Sequence, residues 1–503
     1  MKNMKKFLFG SVAAMMIAST VIGSASCSMF NKKEDSYTNT KIVTGDVNSV
    51  AYDGSKVDIV FYHTMGAALK TILTNHIENT FNKMYPNITV HHESYSDYPG
   101  VRDQISTEMS GAGTAPSIAY CYPDHVALYN KAKAVLTLDD FIANTDTVTM
   151  ADNTTDMVGF TEAEIADFVP AYYEEGKIYG DGKMYTLPML KSTEILYYNK
   201  TYFDANAERL NIKVPTTWDE MEDVCRKIAA DEKAKGNKCI PLGYDSEANW
   251  FITMTEQLST PYTSVEKVDG SHFLFNTAEN RAFVEEFREW YKEGLVTTEE
   301  LNGGTYTSNL FKETNHKKLH SFMSIGSSAG ATYQCPSKGN DGKYPFEVGI
   351  TMIPQANPET PKVISQGPSL CMFKKENEQE MAAAWLFAKF LSTNIELQAA
   401  MSLNNGYSSA VKSVTENKKY AEQLGKADGN ARLQATAINQ TIAMRDYYYV
   451  SPAFLGSSAA RDAVGILMQD CFSKAPGNGQ TIAQFIESKF ADTVSSLSKR
   501  YDK

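Results

Sequence analysis

The sequence lacks the marks of several protein classes. Beyond its N-terminus no apolar run approaches the roughly 18 residues of a membrane-spanning helix. It has no block of basic residues, and 60 acidic residues outweigh 48 basic ones. This charge balance argues against nucleic acid and anionic lipid surfaces as electrostatic partners. The Walker A, His-Glu-x-x-His and Gly-x-Ser-x-Gly patterns are also missing, so phosphate-loop, zincin and serine-hydrolase chemistries have no support.

Cysteine is scarce, with seven residues in a chain of 503. None forms a Cys-x-x-Cys pair, and their scatter indicates buried thiols better than a zinc knuckle. One disulfide, for example Cys225–Cys239, remains an alternative. We assign no metal site and no cofactor.

The N-terminus reads as an export signal. Three lysines lead into the apolar run Phe7–Ile22, which has signal-peptide length and is too short for a membrane span. Ser24-Ala25-Ser26-Cys27 follows and resembles a bacterial lipobox, although Ser24 stands where Leu is usual. We therefore predict a signal peptide over 1–26, lipidation of Cys27 and an extracytoplasmic protein anchored to the cell membrane. Ordinary secretion with an incidental Cys27 is the alternative.

The remaining chain is long and acidic. Without residues 1–26 it holds 45 basic and 60 acidic residues, a charge of −15, and its length suggests two or three domains. Residues 27–56 are polar and predict a flexible tether. The body begins at Val57 with a buried-strand pattern, then a helical pattern to Phe81, then a strand over Ile88–Glu93. This order predicts an α/β fold with parallel pairing.

The later chain is more helical and then returns to strands. Trp218, Trp290 and Trp385 lie on apolar helix stripes and are predicted core residues. Late strands near residues 349–354 and 367–373 suggest that the chain returns to a lobe it left earlier, which is a natural way to build a hinge. We predict two lobes, each with a mostly parallel sheet flanked by helices: 57–190 with 325–365 as lobe 1, and 191–324 with 366–503 as lobe 2.

Several ordered motifs resemble the family 1 extracellular solute-binding proteins of ABC sugar importers. They include Phe61-Tyr62-His63-Thr64-Met65, the Asp181-Gly182-Lys183 turn with Leu187-Pro188, Leu196-Tyr197-Tyr198-Asn199-Lys200, Pro215-Thr216-Thr217-Trp218, Gly367-Pro368-Ser369-Leu370 and Gly406-Tyr407. The pattern is closest to members that bind glycerol 3-phosphate. The resemblance implies a two-lobed periplasmic-binding-protein-like fold with a multi-crossing hinge. It also implies a monomer that closes on its ligand and delivers it to ABC permease subunits.

The resemblance also implies a set of ligand-binding residues. Aromatic faces suit the apolar side of a sugar ring, and polar groups suit its hydroxyls. We expect Trp250 and Tyr98 to line an interlobe cleft, so that their removal abolishes binding without unfolding. The full set is Tyr98, Asp124, Ser192, Trp250, Ser327, Gly367 and Tyr407.

Two positions depart from the family pattern and bear on the ligand. Asp124 is a near match, shifted by one residue, for a ligand-binding Glu. Phe454 stands where a phosphate-pairing Arg is expected, while Arg461 is nearby but off register. Because a cation at that position is the main reason to favour a phosphate ester, we expect a neutral mono- or oligosaccharide, with Phe454 as a stacking surface. A glycerol phosphate or other polyol phosphate is the alternative.

Two rival functions rest on other residues. A zinc-binding importer protein would use His63, Asp124 and one of His91 and His92, because consecutive strand residues face opposite sides. A secreted glycosidase would need facing carboxylates, for which the sequence offers acidic pairs such as Glu174-Glu175 and Glu285-Glu286. A purely structural surface lipoprotein would show no ligand-induced closure. The sequence favours a binding protein over an enzyme.

Overall fold

Strands and helices alternate along the folded body, which runs from Asn39 to Lys503. The computed structural model describes residues 37–425 and 429–503. The strands are β1 (Val57–His63), β2 (Ile88–Ser94), β3 (Ile118–Cys121), β4 (Thr147–Thr149), β5 (Thr155–Met157), β6 (Thr186–Pro188), β7 (Leu190–Lys191), β8 (Glu194–Asn199), β9 (Lys238–Cys239), β10 (Leu242–Tyr244), β11 (Thr263–Val268), β12 (Ser271–Phe273), β13 (Val296–Thr298), β14 (Leu319–His320), β15 (Met323–Ser327), β16 (Val348–Met352), β17 (Val363–Ile364), β18 (Ser369–Met372), β19 (Ser408–Ser409) and β20 (Tyr448–Tyr449).

The longer helices begin at the polar caps that the sequence provides. Thr217 and Thr277 each accept a hydrogen bond from the backbone three residues on, and Gly294 ends its helix in the left-handed conformation. The helices are α1 (Ala67–His76), α2 (Asn82–Met84), α3 (Tyr98–Gly111), α4 (Pro123–Tyr129), α5 (Asp139–Ile142), α6 (Glu162–Asp167), α7 (Pro170–Glu174), α8 (Lys200–Leu210), α9 (Trp218–Ala234), α10 (Glu247–Gln257), α11 (Ala278–Glu293), α12 (Ser308–Phe311), α13 (Glu378–Thr393), α14 (Ile395–Asn405), α15 (Lys418–Gly425), α16 (Gly429–Ala443), α17 (Ser457–Ser473) and α18 (Ile482–Tyr501).

Each lobe is built on a five-stranded sheet with its own core. The first sheet has the order β2-β1-β3-β18-β6, and only β18 runs against the others. The second has the order β13-β10-β15-β8-β16, and only β8 is reversed. Trp385 lies in the first core, and Trp218 and Trp290 lie in the second. The prediction that these three tryptophans are core residues is confirmed.

The chain passes repeatedly between the two sheets. It leaves the first sheet after β6, returns between β16 and β18, and crosses again between α14 and α17. Ser192 and Gln366, on two of these segments, form an antiparallel bridge with both hydrogen bonds at 2.9 Å. The segments therefore lie side by side, as the predicted hinge requires.

The expected division of the chain between the lobes is wrong after residue 324. Residues 325–365 were expected in lobe 1, but β15 and β16 pair with both edges of β8 in the second sheet. The 366–503 segment was expected wholly in lobe 2, but β18 is inserted between β3 and β6 in the first sheet. A short apolar strand shows that it is buried, and its pattern does not identify the sheet that receives it.

The predicted tether also needs correction. From Asn39 onward the 27–56 segment packs on the first lobe, where Ile42 donates a backbone hydrogen bond to Gly113 and Val43 donates one to Lys374. Tyr52 is buried in the core, and the apolar residues of this segment explain its docking. The signal peptide and Cys27 lie outside the described residues. Within the described ranges, no helix is both long and apolar enough to cross a membrane.

Candidate functional site

A cavity of about 70 Å³ lies between the two lobes. The first lobe lines it with the turn after β3 and the end of α7, and the second lobe lines it with α10 and α17. The crossing segment before β18 closes it at the hinge. The lining residues are Tyr122, Pro123, Asp124, Glu175, Ile252, Tyr262, Ile364, Ser365, Gln366, Val450, Ser451, Pro452, Ser457 and Arg461.

The first-lobe wall follows directly from the end of β3. Tyr122 leaves the strand, and Pro123 starts α4, which places Asp124 in the first helical turn. Tyr98, at the start of α3, packs its ring on that of Tyr122 with centroids 4.4 Å apart. This wall therefore presents an aromatic ring beside a carboxylate.

The second-lobe wall carries a cation that is already engaged. Arg461 donates a hydrogen bond to the Asn249 side-chain oxygen. The Asn249 amide donates to Glu194 at 2.7 Å, and the Tyr244 hydroxyl donates to the same carboxyl at 2.5 Å. Burial raises the pKa of Glu194 to about 7, against the effect of these hydrogen bonds and of Arg461. The guanidinium therefore belongs to a polar network that reaches the start of β8.

A buried ion pair lies beneath the hinge side of the cavity. Lys191 Nζ contacts Glu175 Oε1 at 2.6 Å, and both side chains are almost fully buried. Ser365 donates to the other oxygen, Oε2, at 2.8 Å, and Lys191 also contacts the Ser369 hydroxyl at 3.0 Å. Since Lys191 and Ser365 lie on two different crossing segments, Glu175 ties both segments to the first lobe.

Two of the predicted site residues have structural roles at the hinge. Gly367 has a φ of +93°, and an added Cβ would lie 2.4 Å from the Leu190 carbonyl oxygen. Ser192 is buried and engaged in its backbone bridge to Gln366. Only glycine permits this close approach of the two crossing segments.

Trp250 and Phe454 were expected at the ligand, and both are core residues. Trp250 is fully buried, with its ring 4.3 Å from that of Phe287 and 4.9 Å from that of Tyr244. Phe454 is buried and stacks on His272 with centroids 4.7 Å apart. Both rings pack against the apolar faces of the surrounding helices in the second-lobe core.

Among the remaining predicted residues, only Asp124 lines the cavity directly. Tyr98 reaches it through Tyr122. Burial, and next the neighbouring Tyr407, raise the pKa of Tyr98 well above its usual range. Ser327 ends β15, where its hydroxyl accepts from the Ala329 backbone and its carbonyl accepts from the Tyr197 hydroxyl at 2.9 Å. Tyr98 and Tyr407 therefore come together, while Ser327 caps a turn.

Sequence reasoning missed much of the cavity wall. Glu175 was considered only as half of an acidic pair, and Tyr262 was not considered. Arg461 was set aside as off register, yet it lines the cavity while Phe454 does not. A buried acid requires a nearby cation, and that requirement is the signal that could have singled out Glu175. Only the fold, however, shows that Lys191 supplies this cation.

The histidines of the zinc rival do not assemble with Asp124. His63 Nε2 lies 3.0 Å from His92 Nδ1, and burial lowers the pKa of His63 to about 3. His91 points the other way and contacts Asp58 at 3.1 Å, as the strand alternation requires. His63, which is buried, and His92, which is half-buried, form a hydrogen-bonded pair in the first lobe.

Comparison with known proteins identifies the family. A family model described as bacterial extracellular solute-binding protein matches residues 77–427. The sn-glycerol-3-phosphate-binding periplasmic protein UgpB of Escherichia coli K12 is 24% identical over 348 residues, which is 66% of this chain and 70% of that protein.

Two solved structures share the fold. UgpB of Mycobacterium tuberculosis, in complex with glycerophosphocholine, gives a TM-score of 0.65 at 14% identity and covers 88% of this chain and 98% of its own. The GacH receptor of Streptomyces glaucescens, solved unliganded and with acarbose, gives a TM-score of 0.63 at 15% identity. It covers 89% of this chain and 99% of its own. The predicted two-lobed fold is confirmed, and the chain belongs to the bacterial extracellular solute-binding protein family.

Proposed function

We propose that this protein captures a neutral mono- or oligosaccharide in the interlobe cavity and delivers it to an ABC permease. The observation that carries the proposal is the composition of the cavity. Tyr122 and Tyr262 supply aromatic surface, one from each lobe, and Asp124, Gln366 and Arg461 supply hydrogen-bonding groups. Aromatic faces with a few convergent polar groups suit a sugar ring and its hydroxyls.

Charge balance supports a neutral ligand over a phosphate ester. The earlier reason, loss of a cation at the Phe454 position, is wrong because Arg461 lines the cavity. However, Lys191 already neutralises Glu175, and the carboxylate of Asp124 balances Arg461, so the cavity has no cation in excess. A phosphate dianion binds best where cations are in excess. Polyol phosphate remains the second candidate, favoured by Arg461 and by the ligand of the curated relatives named above.

The cavity supports binding without turnover. Glu174 lies on the surface with Lys177, and only Glu175 of that pair lines the cavity. Lys191 and Ser365 already engage one oxygen each of Glu175. A carboxylate held in this way is a poor nucleophile or proton donor for glycoside chemistry. We therefore propose a carrier that is not an enzyme, exported as a monomeric lipoprotein anchored through Cys27.

Calorimetric titration of the chain from Ser28 onward tests the ligand class. Neutral saccharides of one to several rings, glycerol 3-phosphate and glycerophosphocholine are compared. Saccharide binding that is weakened by Tyr122→Ala and by Tyr262→Ala supports the proposal, and chromatography of the recovered sugar should show no cleavage. Binding of phosphate esters alone, lost in Arg461→Gln, would overturn the neutral assignment. Sugar hydrolysis would instead support the hypothesis that the protein is a glycosidase.

A further inference from the structure

Two histidines and a glutamate converge in the second lobe, away from the cavity. Glu232 lies in the last turns of α9, His316 lies in the loop before β14, and His320 ends β14. One ligand atom from each residue lies within 4.8 Å of the other two. None of the three residues lines the interlobe cavity. The function proposed above therefore makes no use of them.

The ligand-atom separations fit a tetrahedral ion. Glu232 Oε2 lies 3.4 Å from His320 Nε2 and 3.7 Å from His316 Nδ1. Ligands placed about 2.0–2.1 Å from a tetrahedral Zn²⁺ are roughly 3.3 Å from one another. The imidazole rings of His316 and His320 are parallel, with centroids 4.2 Å apart. Because the lone pairs of parallel rings lie in parallel planes, the partly exposed His316 ring must rotate to direct Nδ1 at the ion that Glu232 and His320 hold.

The hydrogen bonding of His320 leaves its Nε2 as an acceptor that faces a second acceptor, the Glu232 carboxylate oxygen. His320 Nδ1 lies 3.1 Å from the Lys318 carbonyl oxygen, which can only accept, so Nδ1 carries the hydrogen. In the neutral ring the lone pair is then on Nε2, which has no hydrogen-bond partner although His320 is fully buried. That lone pair points towards a carboxylate oxygen. A cation between these two buried acceptors would satisfy the unpartnered Nε2.

The carboxylate of Glu232 keeps room for a further contact. Lys235 contacts Oε1 at 2.9 Å and Asn237 donates to Oε2 at 2.8 Å, which leaves further acceptor capacity on Oε2.

We propose that Glu232, His316 and His320 bind one divalent transition-metal ion of the Zn²⁺ type. Two imidazoles and a carboxylate suit zinc, and Lys318 fixes the His320 tautomer as an outer-shell partner. The side chain of His316 is 41% exposed, so water can reach the fourth position. The ion would join the end of α9 to the β9–β14 ribbon, in which His320 pairs with Cys239. This site revises the expectation of no metal.

Zinc titration of the Ser28–Lys503 chain tests the site. The affinity tag is removed and the protein is stripped with EDTA, because tag histidines would bind the ion. We expect one equivalent of Zn²⁺ and a higher melting temperature in its presence. Loss of an outer-shell group costs about 10–100-fold in metal affinity, so His316→Gln should weaken binding at least about tenfold.

Matched variants keep the test decisive. His316 is partly exposed, so its substitution should leave the fold intact even if a His320 variant fails to fold. His91→Gln removes a histidine that also contacts an acid, Asp58, at 3.1 Å, and it should bind zinc like the wild type. No stoichiometric zinc binding by the wild type would overturn the proposal. Equal affinity of His316→Gln and wild type would overturn it as well.

Discussion

Removal of Lys191 should destabilise the first lobe far more than removal of an exposed lysine. Lys191 has no exposed surface and Glu175 is 3% exposed, with 2.6 Å between the charged atoms. Lys191→Met therefore leaves a buried carboxylate without its cation. Breaking a buried pair from one side costs about 3–5 kcal/mol. Ser365 and Ser369 remain as donors to the carboxylate, so we expect the lower end of this range.

The surface pair Lys177–Glu174 gives the matched control. Its atoms are 2.9 Å apart, but the side chains are 36% and 62% exposed. Lys177→Met should therefore cost no more than about 1 kcal/mol. The double variant Lys191→Met/Glu175→Gln removes the uncompensated charge and should recover about 2 kcal/mol of the loss.

Urea unfolding followed by tryptophan fluorescence measures these differences. Trp385 lies in the first-lobe core with the ion pair, and the other three tryptophans lie in the second-lobe core, so unfolding of either lobe changes the signal. Equal destabilisation by Lys191→Met and Lys177→Met would refute the reasoning, because burial would then make no difference. A double variant no more stable than Lys191→Met would show that the loss comes from packing and not from charge.

Three further outcomes follow from the structure. Gly367→Ala should unfold the hinge or abolish ligand binding, since its Cβ would meet the Leu190 carbonyl at 2.4 Å; melting curves and calorimetry measure this, and native behaviour would contradict it. Trp250→Ala should lower the free energy of unfolding by about 3–5 kcal/mol, in contrast to the expected selective loss of binding. The pKa of Glu194 is raised to about 7, so its contribution to the free energy of unfolding is complete below about pH 4.5 and is lost as pH rises to 7. The loss is about 3 kcal/mol, and urea titrations of Glu194→Gln should lack this slope.

Local patterns predicted the elements well because each is encoded in neighbouring residues. The β1 run and the caps at Thr217 and Thr277 specify their own strand and helices. Pairing between distant segments is not encoded in this way. The position of β18 in the first sheet depends on the gap between β3 and β6, and no local sequence pattern reveals that gap.

The site was harder to predict because it is made of residues from separate elements. Trp250 and Trp218 have similar helical surroundings in the sequence, and only the fold shows that both rings share one core. Arg461 reaches the cavity from α17, where its position depends on the packing of the whole second lobe. The Glu232–His316–His320 cluster was invisible for the same reason, since 84 residues separate Glu232 from His316.

The position of β18 has a consequence for the order of folding. This strand lies between β3 and β6, so the first sheet has a gap in its interior until residue 372 has been synthesised. The N-terminal part of the chain therefore cannot complete its own sheet, and it must wait for a segment made after the whole second sheet. A polypeptide that has to stay unfolded while crossing a membrane benefits from such a delay, because its first sheet can close only after the first 372 of its 503 residues have emerged.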